Sequence, residues 1–354
     1  MKFIVSSDWH FDGGLTRFFP ENALDKQLRE IKKPFAYAVE SGVRHLMVPG
    51  DISDKARLSE DTLISVIGLF MAYSKYVKVH YTLGNHDFAH VGKTAVDVLK
   101  LFSETGAVKN LRIYDKPTIK DVEGVDCCFM PYPHVIVPKH ARPKLIFAHI
   151  EEQGATGDNG LPLKKVGLKL ERPYHDYVFS GHLHTYQHLK NRRTVFGGSL
   201  YQKNFGESLP KGWIDCEARY SSSGELKVRH EFVNGNPSFV LQNVTIESDS
   251  DWNKLEVGDH VFYKIQLGEG IVAPKNITRD VPNIVYLNGQ TFKGRSKIEL
   301  GDGTVKTDAD LPKVTPLTGL VKMLETFELD KHEVKRCVHM VKDAIKELNI
   351  QIES

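Results

Sequence analysis

Gly84-Asn85-His86-Asp87 sets an amide, an imidazole and a carboxylate side by side, just after the run Val77-Lys78-Val79-His80-Tyr81-Thr82-Leu83. The alternating, β-branched character of that run reads as a strand. Ligand sites in α/β sheets gather beyond the carboxyl ends of strands. Four further strand ends carry matching groups. Asp8-Trp9-His10 follows the apolar run at 2–7, and Gly50-Asp51-Ile52-Ser53-Asp54 follows His45-Leu46-Met47-Val48-Pro49. His149 closes Lys144-Leu145-Ile146-Phe147-Ala148, and Gly181-His182-Leu183-His184 follows Tyr177-Val178-Phe179-Ser180. Asp8 and His10 stand two residues apart, as do His182 and His184, so each pair points to one side of an extended segment. Gly50 permits a sharp backbone turn. Asp54 either sits behind the ligands or caps the next helix.

Seven of these groups, Asp8, His10, Asp51, Asn85, His149, His182 and His184, mix carboxylate, amide and imidazole without a thiolate. Such a set suits manganese, iron or zinc and is poor for calcium. Seven donors exceed one tetrahedral ion and match two ions sharing Asp51, whose carboxylate has two oxygens. Ions held about 3.5–4 Å apart clamp the attacking and leaving oxygens of an in-line phosphoryl displacement. His86, next to Asn85, is the candidate general acid or transition-state stabiliser. Asp87 is expected to orient a neighbouring imidazole.

The elements that must position these groups follow from periodicity. A helical pattern covers 22–40 with Leu24, Leu28, Ile31 and Phe35 on one face, and Pro34 predicts a break into two helices. Helices are expected at 60–76 and 93–103, with apolar faces that either cover the sheet or meet a second copy. The stretch 111–137 reads as strands and turns. The long, glycine-bearing connection between His149 and Tyr177 is a candidate substrate-holding loop. A hairpin over 213–233 turns at Ser221-Ser222-Ser223-Gly224, and Asn234-Gly235-Asn236-Pro237 ends the first domain near residue 235. Residues 236–300 read as a smaller α/β module, firmest in the strands at 261–265 and 283–287. Arg279, Lys293, Arg295 and Lys297 make it locally basic. A polar linker at 301–312 precedes two helices at 313–354. Val334, Val338, Val341, Ile345 and Leu348 form a narrow seam that seats on another coiled coil or packs back on its own domain.

Composition excludes more than it assigns. Hydrophobic residues make up 41% and charged residues 26% of 354, ordinary values for a soluble globular chain. A net charge of +2 gives no global nucleic-acid footprint, so any basic surface is local. No apolar run reaches the length of a membrane span, and the N-terminal residues lack a signal-peptide pattern. Cys127, Cys128, Cys216 and Cys337 show no paired spacing. That argues against a zinc or disulfide framework and predicts a reducing, cytoplasmic setting.

The ordered set D-x-H, G-D-x-x-D, G-N-H-D, a strand-ending histidine and G-H-x-H, over residues 8–184, resembles the calcineurin-like metallophosphoesterase superfamily. The resemblance implies an α/β fold: a two-sheet β-sandwich flanked by helices in four layers. It implies one ion at Asp8, His10, Asp51 and His184 and another at Asp51, Asn85, His149 and His182. His86 matches the family's active-site histidine. Within the superfamily, the chain looks most like the SbcD and meiotic recombination nucleases, including small phage endonuclease subunits. It begins almost at the first ligand, carries a small α/β cap module and ends in a helix-loop-helix. That group implies exonuclease and endonuclease activity on DNA ends, with manganese first and magnesium, iron or zinc as alternatives. It also implies a homodimer through the helices near 60–76 and 93–103, and docking of the C-terminal helices on an SbcC-type coiled-coil ATPase. The setting would be a host cytoplasm if the chain is phage-encoded. The sequence departs from the group in Asp8-Trp9-His10-Phe11-Asp12-Gly13-Gly14, where leucine-glycine commonly follows the histidine. It also has Ile52-Ser53 where an apolar residue and phenylalanine are common, and a short cap. The enzyme alternative is a phosphodiesterase or phosphatase acting on small molecules or phosphoproteins. A non-catalytic scaffold conflicts with the presence of every expected ligand.

Overall fold

In a computed structural model, the described residues are 1–291 except 12, 16, 17, 20, 21, 89–93, 140, 141, 143, 165, 168, 174 and 175, with 335 and 339 in addition. The linker and two-helix segment expected at 301–354 fall outside them, apart from Lys335 and His339, as do Lys293, Arg295 and Lys297.

Short buried runs alternate with amphipathic ones through the first part of the chain. The order is β1 (Lys2–Val5), α1 (Ala23–Ser41), β2 (His45–Pro49), α2 (Glu60–Tyr73), β3 (Lys78–Thr82), α3 (Ala95–Glu104) and β4 (Leu111–Tyr114). There follow β5 (Thr118–Val122), β6 (Val125–Met130), β7 (Leu145–His149), β8 (Tyr177–Gly181), β9 (Gln187–Leu189) and β10 (Thr194–Phe196). A long hairpin, β11 (Gly212–Tyr220) and β12 (Leu226–Asn234), completes the large sheets. One sheet has the order β12-β11-β1-β2-β3-β4 and the other β5-β6-β7-β8-β10-β9. Each contains four mutually parallel strands, β1 to β4 in the first and β6, β7, β8 and β10 in the second. The carboxyl ends of the parallel strands are where the sequence places its reactive groups.

The sheets face each other across an aromatic interior. Tyr114 stacks on Phe129 with ring centroids 3.8 Å apart, Phe129 on Phe147 at 5.5 Å and Phe147 on Phe179 at 6.0 Å. Phe3 meets Phe147 and Phe179 edge-on. These are the offset and T-shaped geometries that ring quadrupoles favour. Each buried ring contributes about 1.5–3 kcal/mol through area removed from water.

The outer face of the first sheet is covered by α1, α2 and α3, whose apolar stripes share a core with Ile4, Leu46, Val48, Val79 and Tyr81. The expected break at Pro34 does not occur: α1 is one helix of 19 residues. Proline there forfeits one hydrogen bond, but Leu28, Ile31, Phe35 and Ala38 keep a continuous buried stripe across it. Among the described residues the other outer face is covered by loop residues, Val137, Ile150 and Leu170, packed on Cys128, Ile146 and Val178.

A third sheet holds β13 (Val240–Ile246), β14 (Val261–Leu267), β15 (Ile284–Leu287) and β16 (Gln290–Thr291), with the single-turn α4 (Ile277–Asp280) beside it. It has its own small core around Trp252, Ile265 and Ile284. Its seam with the sandwich is specific. Lys26 of α1 reaches over to donate to the Asp259 carbonyl (3.1 Å), and its ammonium lies against the rings of Phe19, Phe262 and Phe239. The Gln202 amide pairs with both backbone groups of Leu241.

Candidate active site

Asp8, His10, Asp51, Asn85, His149, His182 and His184 converge from β1, β2, β3, β7 and β8 on one edge of the sandwich. Asp8, His10 and His184 carry donor atoms within 4.8 Å of one another, and so do Asp8, Asp51 and His149. Asp51 Oδ2 lies 3.2 Å from His149 Nε2 and 3.7 Å from His10 Nε2, between the two groups. Asn85 Oδ1 is 2.9 Å from His149 Nε2 and 3.2 Å from His182 Nδ1.

The backbone is bent to achieve this. Asp8, His10, Asp51 and His182 all have positive φ, at 54°, 46°, 54° and 85°. Such conformations cost side-chain-bearing residues on the order of 1–3 kcal/mol each and persist where the surroundings over-determine them. Glycines ahead of Asp51, Asn85 and His182 leave room. Gly50 has φ 97°, and a Cβ on it would overlap the His149 ring, while one on Gly84 would overlap the Asp51 carboxylate.

Asp87 is part of that bending. Its buried carboxylate accepts the amides of Asp51 (2.7 Å), Gly84 (2.9 Å) and Ser53 (3.1 Å) and the Ser53 hydroxyl (3.0 Å). The expected partner of Asp87 is an imidazole. The structure aims Asp87 at loop amides, because two strand ends meet there with N–H groups pointing inward and no ladder partner. Asp54 faces His10 Nδ1 at 3.1 Å, and its carbonyl accepts from His86 Nδ1 at 2.7 Å. His86 also donates its backbone N–H to Asp51 Oδ1 (3.0 Å), and its ring sits 5.0 Å from that of His10.

The second nitrogen of each histidine decides what the first can do. His149 Nδ1 donates to the Pro49 carbonyl at 3.0 Å. His184 Nδ1 donates to Glu207 Oε1 at 3.0 Å and has Asp158 Oδ2 at the same distance. His182 Nε2 stands 3.4 Å from Glu151 Oε1. His10 and His184 therefore have carboxylates behind Nδ1 while their Nε2 atoms face each other at 3.1 Å. Two imidazole lone pairs meeting head-on repel unless they share a cation, so these residues fit a metal ion. The nitrogen and oxygen donor set agrees.

Electrostatics follow the same arrangement. Burial pushes Asp8 up to about 6, against the opposing pull of His149 and His184. Burial takes His10 down to about 3, so it is neutral, as a ligand must be. Burial opposes charge on His149, but the Asp51 and Asp8 carboxylates overcome it and carry the imidazole up to about 9. A divalent ion held there would take the place of the proton on His149. Burial likewise opposes charge on Glu207, but His184 and Lys211 hold it down at about 2.

Sequence reasoning missed Glu207, Lys211, Asp158, Glu151 and Lys203. Glu151 and Asp158 come from the long connection between β7 and β8, the loop whose length marked it for the site. Glu207, Lys211 and Lys203 come from the turn-rich segment between β10 and β11, where no local pattern announces them. Lys203 Nζ contacts Asp54 Oδ1 at 3.0 Å.

Solved structures to which the chain is similar include Yfce, a phosphoesterase from E. coli, at 15% identity and a TM-score of 0.32, covering 66% of this chain and 100% of that one. A single mutant of Vps29 from Entamoeba histolytica matches at 11% identity and a TM-score of 0.30, with 66% and 100% covered. The calcineurin-like phosphoesterase YfkN from Bacillus subtilis matches at 15% identity and a TM-score of 0.32, with 67% and 92% covered. No curated protein matches the sequence. The family model for calcineurin-like phosphoesterases matches residues 1–186, more than half of the 354 and the span that holds every one of the converging strand ends. On that match, the chain belongs to the calcineurin-like phosphoesterase family.

Proposed function

We propose that the chain is a DNA nuclease subunit that hydrolyses phosphodiester bonds at DNA ends with two divalent ions, manganese in the first instance. In this reading it works as a homodimer with an SbcC-type coiled-coil ATPase. The calcineurin-like fold uses a dinuclear metal site, and this chain has the histidine and aspartate groups for one. The observation that carries the reading is the pair of facing Nε2 atoms of His10 and His184, 3.1 Å apart, with Asp8 beside them and the Asp51, Asn85 and His149 group adjoining. Asp8, His10, Asp51 and His184 would hold one ion, and Asp51, Asn85, His149 and His182 the other. When bound, the ions supply an activated water and charge stabilisation for in-line attack on phosphorus.

The chain's own groups do the rest. Asp87 locks the loops that carry Asp51 and Asn85. The backbone and Nδ1 bonds of His86 fix its ring and leave Nε2 as the position open to substrate. From there the His86 ring faces the phosphoryl oxygens and donates a proton to the leaving oxygen. The DNA-end substrate is favoured by the third sheet, docked on the sandwich through Lys26 and Gln202, which offers added surface for a large substrate. The near-neutral charge of the chain favours a second reading, a small phosphodiester.

The test is nucleotide release from end-labelled duplex DNA by the full chain with Mn²⁺, with and without the ATPase, beside His86→Gln. Release should fall by about 10²–10⁴ in the variant while its metal content stays at the wild-type level. Hydrolysis of bis(p-nitrophenyl) phosphate with no release from DNA in either condition would replace the nuclease reading with the small-substrate one.

A further inference from the structure

We infer that Glu207, clamped by Lys211, is a positioning residue that sets the ring orientation and proton location of His184 for divalent-ion binding. The inference rests on the metal-binding reading above and extends it to residues outside the strand-end motifs.

Glu207 is 4% exposed and held by three donors: His184 Nδ1 (3.0 Å), Lys211 Nζ (2.7 Å) and Asn204 Nδ2 (3.1 Å). A carboxylate accepting from Nδ1 requires the proton there, which leaves Nε2 with its lone pair turned toward His10. Lys211, 1% exposed, grips the same histidine twice. Besides Glu207 it donates to the His184 carbonyl (2.8 Å) and to the Ser199 hydroxyl (2.9 Å), and Ser199 in turn donates its backbone N–H to the His184 carbonyl. Ring and backbone of His184 are thereby held by one buried ion pair, with the more exposed Asp158 beside it, 3.0 Å from Nδ1 and accepting the His184 N–H. Such a pair adds little net stability over apolar residues of similar size, because desolvating both charges offsets their attraction. A role in holding a ligand explains its place better than a role in folding. Outer carboxylates of this kind fix the tautomer and raise the basicity of a ligating imidazole. His10 Nδ1 lies 3.1 Å from Asp54, which Lys203 contacts, the second lysine again from the segment between β10 and β11. His149, by contrast, is backed by a neutral carbonyl. The consequence is asymmetry: the ion held with His184 depends on Glu207, and the ion held with His149 does not.

The experiment measures Mn²⁺ binding to the full chain by electron paramagnetic resonance of the free ion. It uses wild type, Glu207→Gln, and the double variant Glu207→Gln/Lys211→Met, which removes both charges together and guards against failure of the single variant to fold. Wild type should bind two ions. Both variants should lose affinity for one of them by about 10–100-fold and keep the other. The thermal midpoint of the metal-free double variant should stay near wild type. A folded variant that binds both ions with wild-type affinity overturns the inference, as does a lower midpoint with unchanged affinity. Wild type that binds no Mn²⁺ overturns the metal reading itself, which is seen before any variant is compared.

Discussion

His184 and His80 are both buried histidines of parallel strands, one just past β8 and one within β3, and they are put to different use. His184 has a carboxylate behind one nitrogen and turns the other toward His10. His80 lies inside the sandwich, stacked on Phe129 at 5.4 Å, with Nδ1 3.0 Å from the Tyr114 hydroxyl and Nε2 3.2 Å from His45 Nδ1. His45 in turn reaches Glu123 at 3.3 Å. Both nitrogens of His80 are occupied by neutral partners, and burial takes it down to about 3. Burial alone therefore does not mark a ligand. What marks one is a fixed partner on the second nitrogen and a convergence of unshared lone pairs on the first.

The largest effect that would test this contrast is at Asp51, which lies between the two donor groups. Asp51→Asn should lower phosphodiester turnover by at least about a thousandfold, the loss of several kcal/mol of charge stabilisation. Mn²⁺ binding should weaken at both sites. Near-wild-type turnover would show that the carboxylate between the groups is not shared.

His80 should behave in the opposite way, affecting stability and not turnover. The folded chain keeps His80 neutral down to about 3, whereas an unfolded histidine titrates near 6.5. Between those values the unfolded state binds more protons. The contribution of neutral His80 is thus complete above about pH 6.5 and is lost as pH falls toward 3. Urea unfolding of wild type should show lower stability at pH 5 than at pH 7. His80→Phe should begin about 1–3 kcal/mol lower at pH 7, since Tyr114 and His45 lose a buried partner, and should then fall less between the two pH values. An equal fall in both proteins would remove His80 as the source of the slope.

The smallest effect sharpens the difference within the site. Glu151 also backs a histidine, but its side chain is 23% exposed and 3.4 Å away. Solvent screening weakens such a contact. Glu151→Gln should change Mn²⁺ affinity by less than about threefold, against the 10–100-fold expected for an outer-shell partner such as Glu207. Equal losses at the two positions would erase the distinction between a buried and an exposed partner.

Much of the fold and the site is legible along the chain for a local reason. A strand and the polar residues that end it are consecutive, so Asp8, Asp51, Asn85, His149 and His182 each report their own strand end. The periodicity of α1 is likewise local, and it outweighed Pro34 because the buried stripe continues past the proline. What covers Ile146 and Val178 is not legible locally, because Val137 and Leu170 arrive there from elsewhere in the chain.

The amino-acid sequence by itself determined which residue types stand at which strand ends, and hence the chemistry available to them. The tertiary structure alone decided their partners. Glu207 meets a histidine 23 residues away, Asp87 takes up amides from a loop 36 residues earlier, and the Pro49 carbonyl accepts a hydrogen bond from His149, 100 residues on. A hydrogen bond is made between atoms a few ångströms apart, and no periodicity along the chain records which distant atoms the packing of two sheets will bring that close.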